Sequence, residues 1–199
     1  IELNNVVRNY NKQILKYYQK DINPELDLDE IDEKDDPFKY AKFDSLTDKN
    51  EFIYIDYPYE IYGCSKTMTK DLPTLMNNWL SDLTNYEEDE VEISFFSLGE
   101  EALTIQSTYF FLSKIGTRVR KVVFPKDFKE VENDYDIVIT GNKELVDNYL
   151  SKNENIITVL ISNTTTKDLE GDTGKVDMIY DSLESLINDD KFLDCIKNK

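Results

Sequence analysis

Apolar positions along this chain recur with two different periods. Val6, Val7, Tyr10, Ile14, Leu15 and Tyr18 are spaced by threes and fours, which predicts a helix over residues 1–20 with one apolar face. Residues 21–37, DINPELDLDEIDEKDDP, break that pattern with two prolines and a dense acidic run, and read as an exposed linker or lid. After Asn50 the apolar runs shorten. EFIYIDYP, residues 51–58, predicts a buried strand ending at Asp56. Leu72, Leu75, Met76, Trp79, Leu80 and Leu83 mark an amphipathic helix over 72–83, with Pro73 in its first turn. Further strands are expected at 91–97, 120–125, 135–140, 155–162 and 176–180. Helices fill the intervals: 99–115, stopped by Gly116; 142–150, capped by Asn142; and 182–189 at the close.

Short strands that are apolar on both sides, separated by amphipathic helices, specify an α/β fold. The expected architecture is Rossmann-like, a mostly parallel sheet with helices on both faces. Residues 1–50 would form an N-terminal helix and acidic linker, and residues 51–199 the α/β domain. Right-handed crossovers gather the loops after each strand on one edge, where such folds bind ligands.

Charge narrows the partners. With 23 basic and 41 acidic residues the formal charge is -18, which repels phosphate backbones and anionic membranes at long range. Nucleic acid is therefore not an expected large-surface partner. No apolar run approaches the ~18 residues of a membrane span. The N-terminal residues do not read as a signal peptide, and the two cysteines, Cys64 and Cys195, make no disulfide framework, so a reducing, intracellular or cytoplasmic setting is expected. The chain has no histidine, which excludes Ser-His-Asp and Cys-His nucleophile systems and histidine-ligated metals. Proton transfer falls to Asp, Glu, Lys, Tyr or Cys, and any metal would be a hard ion held by oxygens.

The predicted strand ends carry Asp56, Ser97, Lys126 and the stretch Thr140-Gly141-Asn142. A carboxylate, a hydroxyl, an ammonium and small polar residues on one edge suit phosphate chemistry. In this order and spacing residues 51–190 resemble the haloacid-dehalogenase-like superfamily, in a form without a large cap. The resemblance implies an aspartate nucleophile after the first strand, a Ser or Thr after the second, then a lysine, then an acidic pair that holds magnesium. FIYIDYPYEIYG places Asp56 in the nucleophile and metal-binding position, ISFFS supplies Ser97, and VVFPK supplies Lys126. Two departures stand out. Pro58 takes the place of the general acid, for which Glu60 is the nearest substitute. Thr140, Gly141 and Asn142 replace the magnesium-binding carboxylates.

These departures imply a degenerate member, without cofactor, acting as a protein-binding or assembly module. Residues 1–20 and the tyrosines Tyr54, Tyr57, Tyr59 and Tyr62 are candidate partner surfaces. Small degenerate proteins resembling this family occur in bacteriophages, and the Asn-, Lys-, Asp- and Tyr-rich composition fits an AT-rich genome, so a virion or accessory role is one expectation. The alternative is a magnesium-dependent phosphatase or phosphotransferase acting on a nucleotide or small phosphate ester through Asp56. Weaker motifs add little. Asp27, Asp29 and Asp32 lack the glycine of a calcium loop, GDTGK at 171–175 lacks the Walker spacing, and Arg118, Arg120 and Lys121 read as a solvated strand rim.

Overall fold

The computed structural model describes residues 1–32, 35–84, 91–132, 135–148, 150–162 and 176–197. The GDTGK segment at 171–175 lies outside them. The protein is a mixed α/β chain with two small parallel sheets. One pairs β1 (Ser94–Phe96) with β2 (Lys121–Val123), in the register Ser94 to Lys121. The other is ordered β3 (Ile137–Thr140), β4 (Ile157–Ile161), β5 (Met178–Tyr180), with Ile137 opposite Ile157 and Val159 opposite Met178.

Residues 1–3 lie between these sheets. Leu3 N–H donates to the Phe96 carbonyl and Phe96 N–H to the Ile1 carbonyl, while Glu2 N–H donates to the Ile139 carbonyl on the other side, at 2.8–2.9 Å. The hydrogen-bonded order is thus β2, β1, residues 1–3, β3, β4, β5.

Alternation along the strands feeds two cores. Phe95, Ile139, Val159 and Ile161 pack with Leu3, Val6 and Val7 and with four helices. These are α3 (Leu72–Thr84), α4 (Ala102–Ile115), α7 (Leu183–Ile187) and α8 (Asp190–Lys197). Phe96, Val138 and Leu160 pack on the other side with Val131, Leu145 and Val146, from α5 (Lys129–Glu132) and α6 (Lys143–Asn148). Helices therefore cover both faces. Their ends carry the expected chemistry. Asn142 accepts from Leu145 N–H at 3.1 Å, Ser182 accepts from Ser185 N–H at 3.1 Å, and Gly116 closes α4 at φ 66°.

The first fifty residues depart from expectation. The helix α1 spans Tyr10–Asp21, because Asn9 caps it by accepting from Lys12 N–H at 3.3 Å. Leu3, Val6 and Val7 precede it and are buried in the sheet core, and Ile14, Leu15 and Tyr18 are buried in a third core. Leu3, Val6, Val7, Ile14, Leu15 and Tyr18, within the segment offered as a candidate partner surface, are thus buried in the chain itself. Parts of the acidic segment also pack, since Leu26, Leu28 and Ile31 rest on that third core.

The strand expected over 51–58 is helical. Ser45 caps α2 (Leu46–Glu51) by accepting from Asp48 N–H at 3.1 Å, and the helix runs on into a wide turn, Phe52–Asp56. Tyr57 N–H reaches back five residues to the Phe52 carbonyl, and a second wide turn, Tyr59–Gly63, follows Pro58. Phe52, Ile53, Ile61 and Tyr62 face α1, while Ile55 and Asp56 are exposed. A dense aromatic run satisfies a buried strand and a one-sided helix equally well, and the cap at Ser45 selects the helix. Among the described residues no helix is long and apolar enough to cross a membrane.

Candidate functional site

The strand-end edge is built from the turn after Leu3, the turn after β1 and the turn after β3. Asn5 makes the first turn with φ 59°, a left-handed conformation that asparagine tolerates better than most residues. Its side chain holds α1 in place, donating to Asn11 Oδ1 at 2.9 Å and accepting from Asn11 N–H at 3.1 Å. The same turn directs Arg8 inward.

Arg8 is fully buried. Nε donates to Asn4 Oδ1 at 2.9 Å, and Nη2 donates to the same oxygen at 2.5 Å. Nη1 donates to the Tyr62 carbonyl at 3.2 Å and Thr108 Oγ1 at 2.6 Å. Nη2 also meets Ser97 Oγ at 3.2 Å and pairs with Glu100 Oε1 at 2.8 Å, both Arg8 and Glu100 side chains being closed to solvent. Thr108 in turn donates to the Glu100 carboxylate. The guanidinium lies 4.8 Å from the Tyr62 ring centre, a cation–π contact. The Tyr62 hydroxyl stands 3.3 Å from that of Tyr10, and burial pushes both phenols above their ordinary range. Every donor direction of the guanidinium is occupied, which is what a buried cation requires.

A second buried group sits on the neighbouring strand ends. The Glu2 carboxylate accepts from the Thr140 hydroxyl and, at 2.9 Å, from Gly141 N–H. Burial raises its pKa, and the bonds from Thr140, Gly141 and Asn142 oppose that shift. Asn142 N–H donates to Thr140 Oγ1 at 3.0 Å, so Thr140-Gly141-Asn142 serves both Glu2 and the start of α6.

The residues expected to carry chemistry are dispersed. Ser97 does lie at the end of β1, buried, but its hydroxyl accepts from Arg8. Lys126 is exposed beyond β2, and its backbone N–H donates to Glu130 at 2.9 Å. Asp56 is not at a strand end; it closes an exposed helical turn, so the nucleophile and metal assignment made from a strand at 51–58 loses its structural basis. Glu60 contributes its carbonyl to Gln13 at 2.9 Å. Among the described residues no group of Cys, Asp and Glu side chains converges as a metal site.

Sequence reasoning missed Glu2, Arg8 and Glu100. Each is a charged residue in a segment read as helix, where charge normally marks the solvated side. The available signal was Asn9, a helix cap that forces residues 1–8 out of α1.

Space follows the same pattern. At the strand ends the cavity lined by Asn5, Val6, Thr69, Asp181 and Glu184 measures about 20 Å³, room for about one water. The larger cavities lie elsewhere. One of about 440 Å³ opens between Trp79, Ser94, Lys121 and Phe192 at the other end of the strands, one of about 450 Å³ lies among α3, α7 and α8, and one of about 510 Å³ is lined by Leu80, Ile93, Arg118 and Arg120.

Comparison with protein-family models, with curated proteins and with solved structures finds no match to this chain.

Proposed function

We propose that this chain is a haloacid-dehalogenase-like fold that has given up its chemistry and works as a protein-binding or assembly module. The family pattern asks for an aspartate after the first strand, an acid two residues later, a hydroxyl after the second strand and an acidic pair after a later one. With residues 1–3 taken as the first strand, the nearest carboxylate is Glu2, inside that strand, Asn4 stands two residues later, and Ser97 and Thr140-Gly141-Asn142 take the other places. Asn4 cannot transfer a proton as a carboxyl does, and the acidic pair is absent.

The observation that carries the reading is Arg8. Its guanidinium takes the Ser97 hydroxyl that would contact a phosphate, and Glu100 neutralises the cation from within the fold. A cation already neutralised inside the fold adds little attraction for a phosphate, and freeing it from Glu100 means breaking a buried ion pair, which costs about 3–5 kcal/mol.

Thermal unfolding with magnesium and beryllium fluoride, a mimic of an acyl phosphate, tests this reading. Binding to the native state raises the melting temperature. The expected result is no shift at millimolar concentrations. A stabilisation that needs both ions and disappears in Glu2→Gln would restore the enzyme reading on the first strand, and one that disappears in Asp56→Asn would restore it on the exposed turn.

A further inference from the structure

α4 turns the wrong side to solvent. Leu103, Gln106, Tyr109 and Phe110 recur along its exposed face, and Leu103 and Tyr109 are each 52% exposed and Phe110 43%. Between Glu101 and Lys114 the helix bears no charge at all, in a chain that is 32% charged. Neighbouring rings widen the surface. Tyr59 lies 5.1 Å from Phe110, and Phe124 meets Tyr109 edge-on at 5.6 Å. Exposed apolar side chains grouped on one helix face are candidates for an interaction site.

We infer that this face docks an amphipathic helix from a different chain, apolar on one side and flanked by Lys or Arg; this rests on the binding-module reading. Charge selects that occupant. Asp56 and Glu60 flank Tyr59, and Glu101 stands exposed at the start of α4. Lys114, an exposed cation at the far end, spends its ammonium on the carbonyls of Gly63 and Ser65, at 3.1 and 2.8 Å. Lys126 is exposed two residues beyond Phe124. A second copy would bring another -18 to the interface, whereas a basic helix would bring compensating charge. The ridge offered by Leu103, Gln106 and Phe110 has the spacing that an apolar helix face meets at i, i+3 and i+7.

The probe is an 18-residue peptide of Leu and Lys with one apolar face, titrated at 0.15 M salt against full chain by calorimetry. A Ser and Lys peptide of equal charge is the control. Leu103→Ser and Phe110→Ser, both exposed and expected to fold, should each weaken the Leu/Lys peptide tenfold or more. Leu46→Ser, at another exposed apolar residue, should leave it within twofold. The Ser/Lys peptide should bind at least tenfold more weakly than the Leu/Lys peptide.

Absent binding, or binding equal in wild type and both α4 variants, overturns the site while leaving the non-catalytic reading intact. That reading falls only to the magnesium and beryllium fluoride result. A sedimenting dimer split by the α4 variants would assign the face to a second copy instead. Capture on phosphatidylcholine vesicles, lost in the same variants, would assign it to lipid. Either result overturns the basic-helix partner.

Discussion

The two faces of α4 invert the usual sorting of residues. Inward it presents Thr104, Ser107 and Thr108 beside Phe111 and Leu112, and outward it presents Leu103, Tyr109 and Phe110. An ordinary surface helix would do the reverse. On the inner face Thr108 serves Arg8 and Glu100, which the chain has taken out of water, while Thr104 caps the helix on Glu101 and Ser107 donates to the Leu103 carbonyl. The outer face is apolar with no such internal reason. Interior polarity here answers to a buried cation and to local backbone bonds, and exterior apolarity answers to neither. The comparison teaches that the two properties, often read together as one amphipathic signal, answer to separate causes.

The strongest way to break the comparison is to remove the cation. Arg8→Met leaves Glu100 buried without its partner and should lower the unfolding free energy by about 3–5 kcal/mol in urea titration. Combining it with Glu100→Leu should recover more than half of that loss, since a buried pair is often replaceable by apolar groups. Thr108→Val, which keeps the shape but deletes the hydroxyl between Arg8 and Glu100, should cost about 1–3 kcal/mol.

Glu2 sharpens the contrast through pH. Its folded pKa is raised by burial, so the folded chain keeps a proton that the unfolded chain has already released. That contribution is fully present below the ordinary carboxyl range and is lost as pH rises through the folded value. Wild type should therefore lose stability across that window, and Glu2→Gln should show a flatter profile in the same denaturation series. The outer face of α4 should yield the smallest effect. Leu103→Ser and Phe110→Ser should each change stability by within about 0.5 kcal/mol, because exposed positions contribute little to folding. A loss as large as that of Thr108→Val would mean that the outer face belongs to the core after all.

Much of the sheet was legible in the sequence. SFF, KVV, IVIT and ITVLI are short apolar runs bounded by polar residues, and each became a strand close to its expected place. Residues 1–3 were not legible, because three residues carry no period and their pairing partners stand more than ninety positions away. The run at 51–58 misled for the opposite reason. Phe52, Ile53, Tyr54 and Ile55 have strand-like composition, yet only the first two are buried. That displaced the candidate site, since Asp56 gained its role from a strand that does not exist. Ser97 kept its place at a strand end because β1 was read correctly. For Arg8 the local pattern offered only the Asn9 cap, which places it outside α1, and its partner Glu100 is 92 residues distant.

The seating of residues 1–3 between β1 and β3 also sets an order of events during synthesis. Residues 1–3 leave the ribosome well before Ile139, to which Glu2 donates across 137 positions of sequence. At about 5–20 residues per second the delay is on the order of ten seconds. For that interval Leu3, Val6 and Val7 have no finished core to enter. Parallel pairing at such long range is slow to form, so the nascent chain spends this time with an apolar segment open to chaperones or to misassembly.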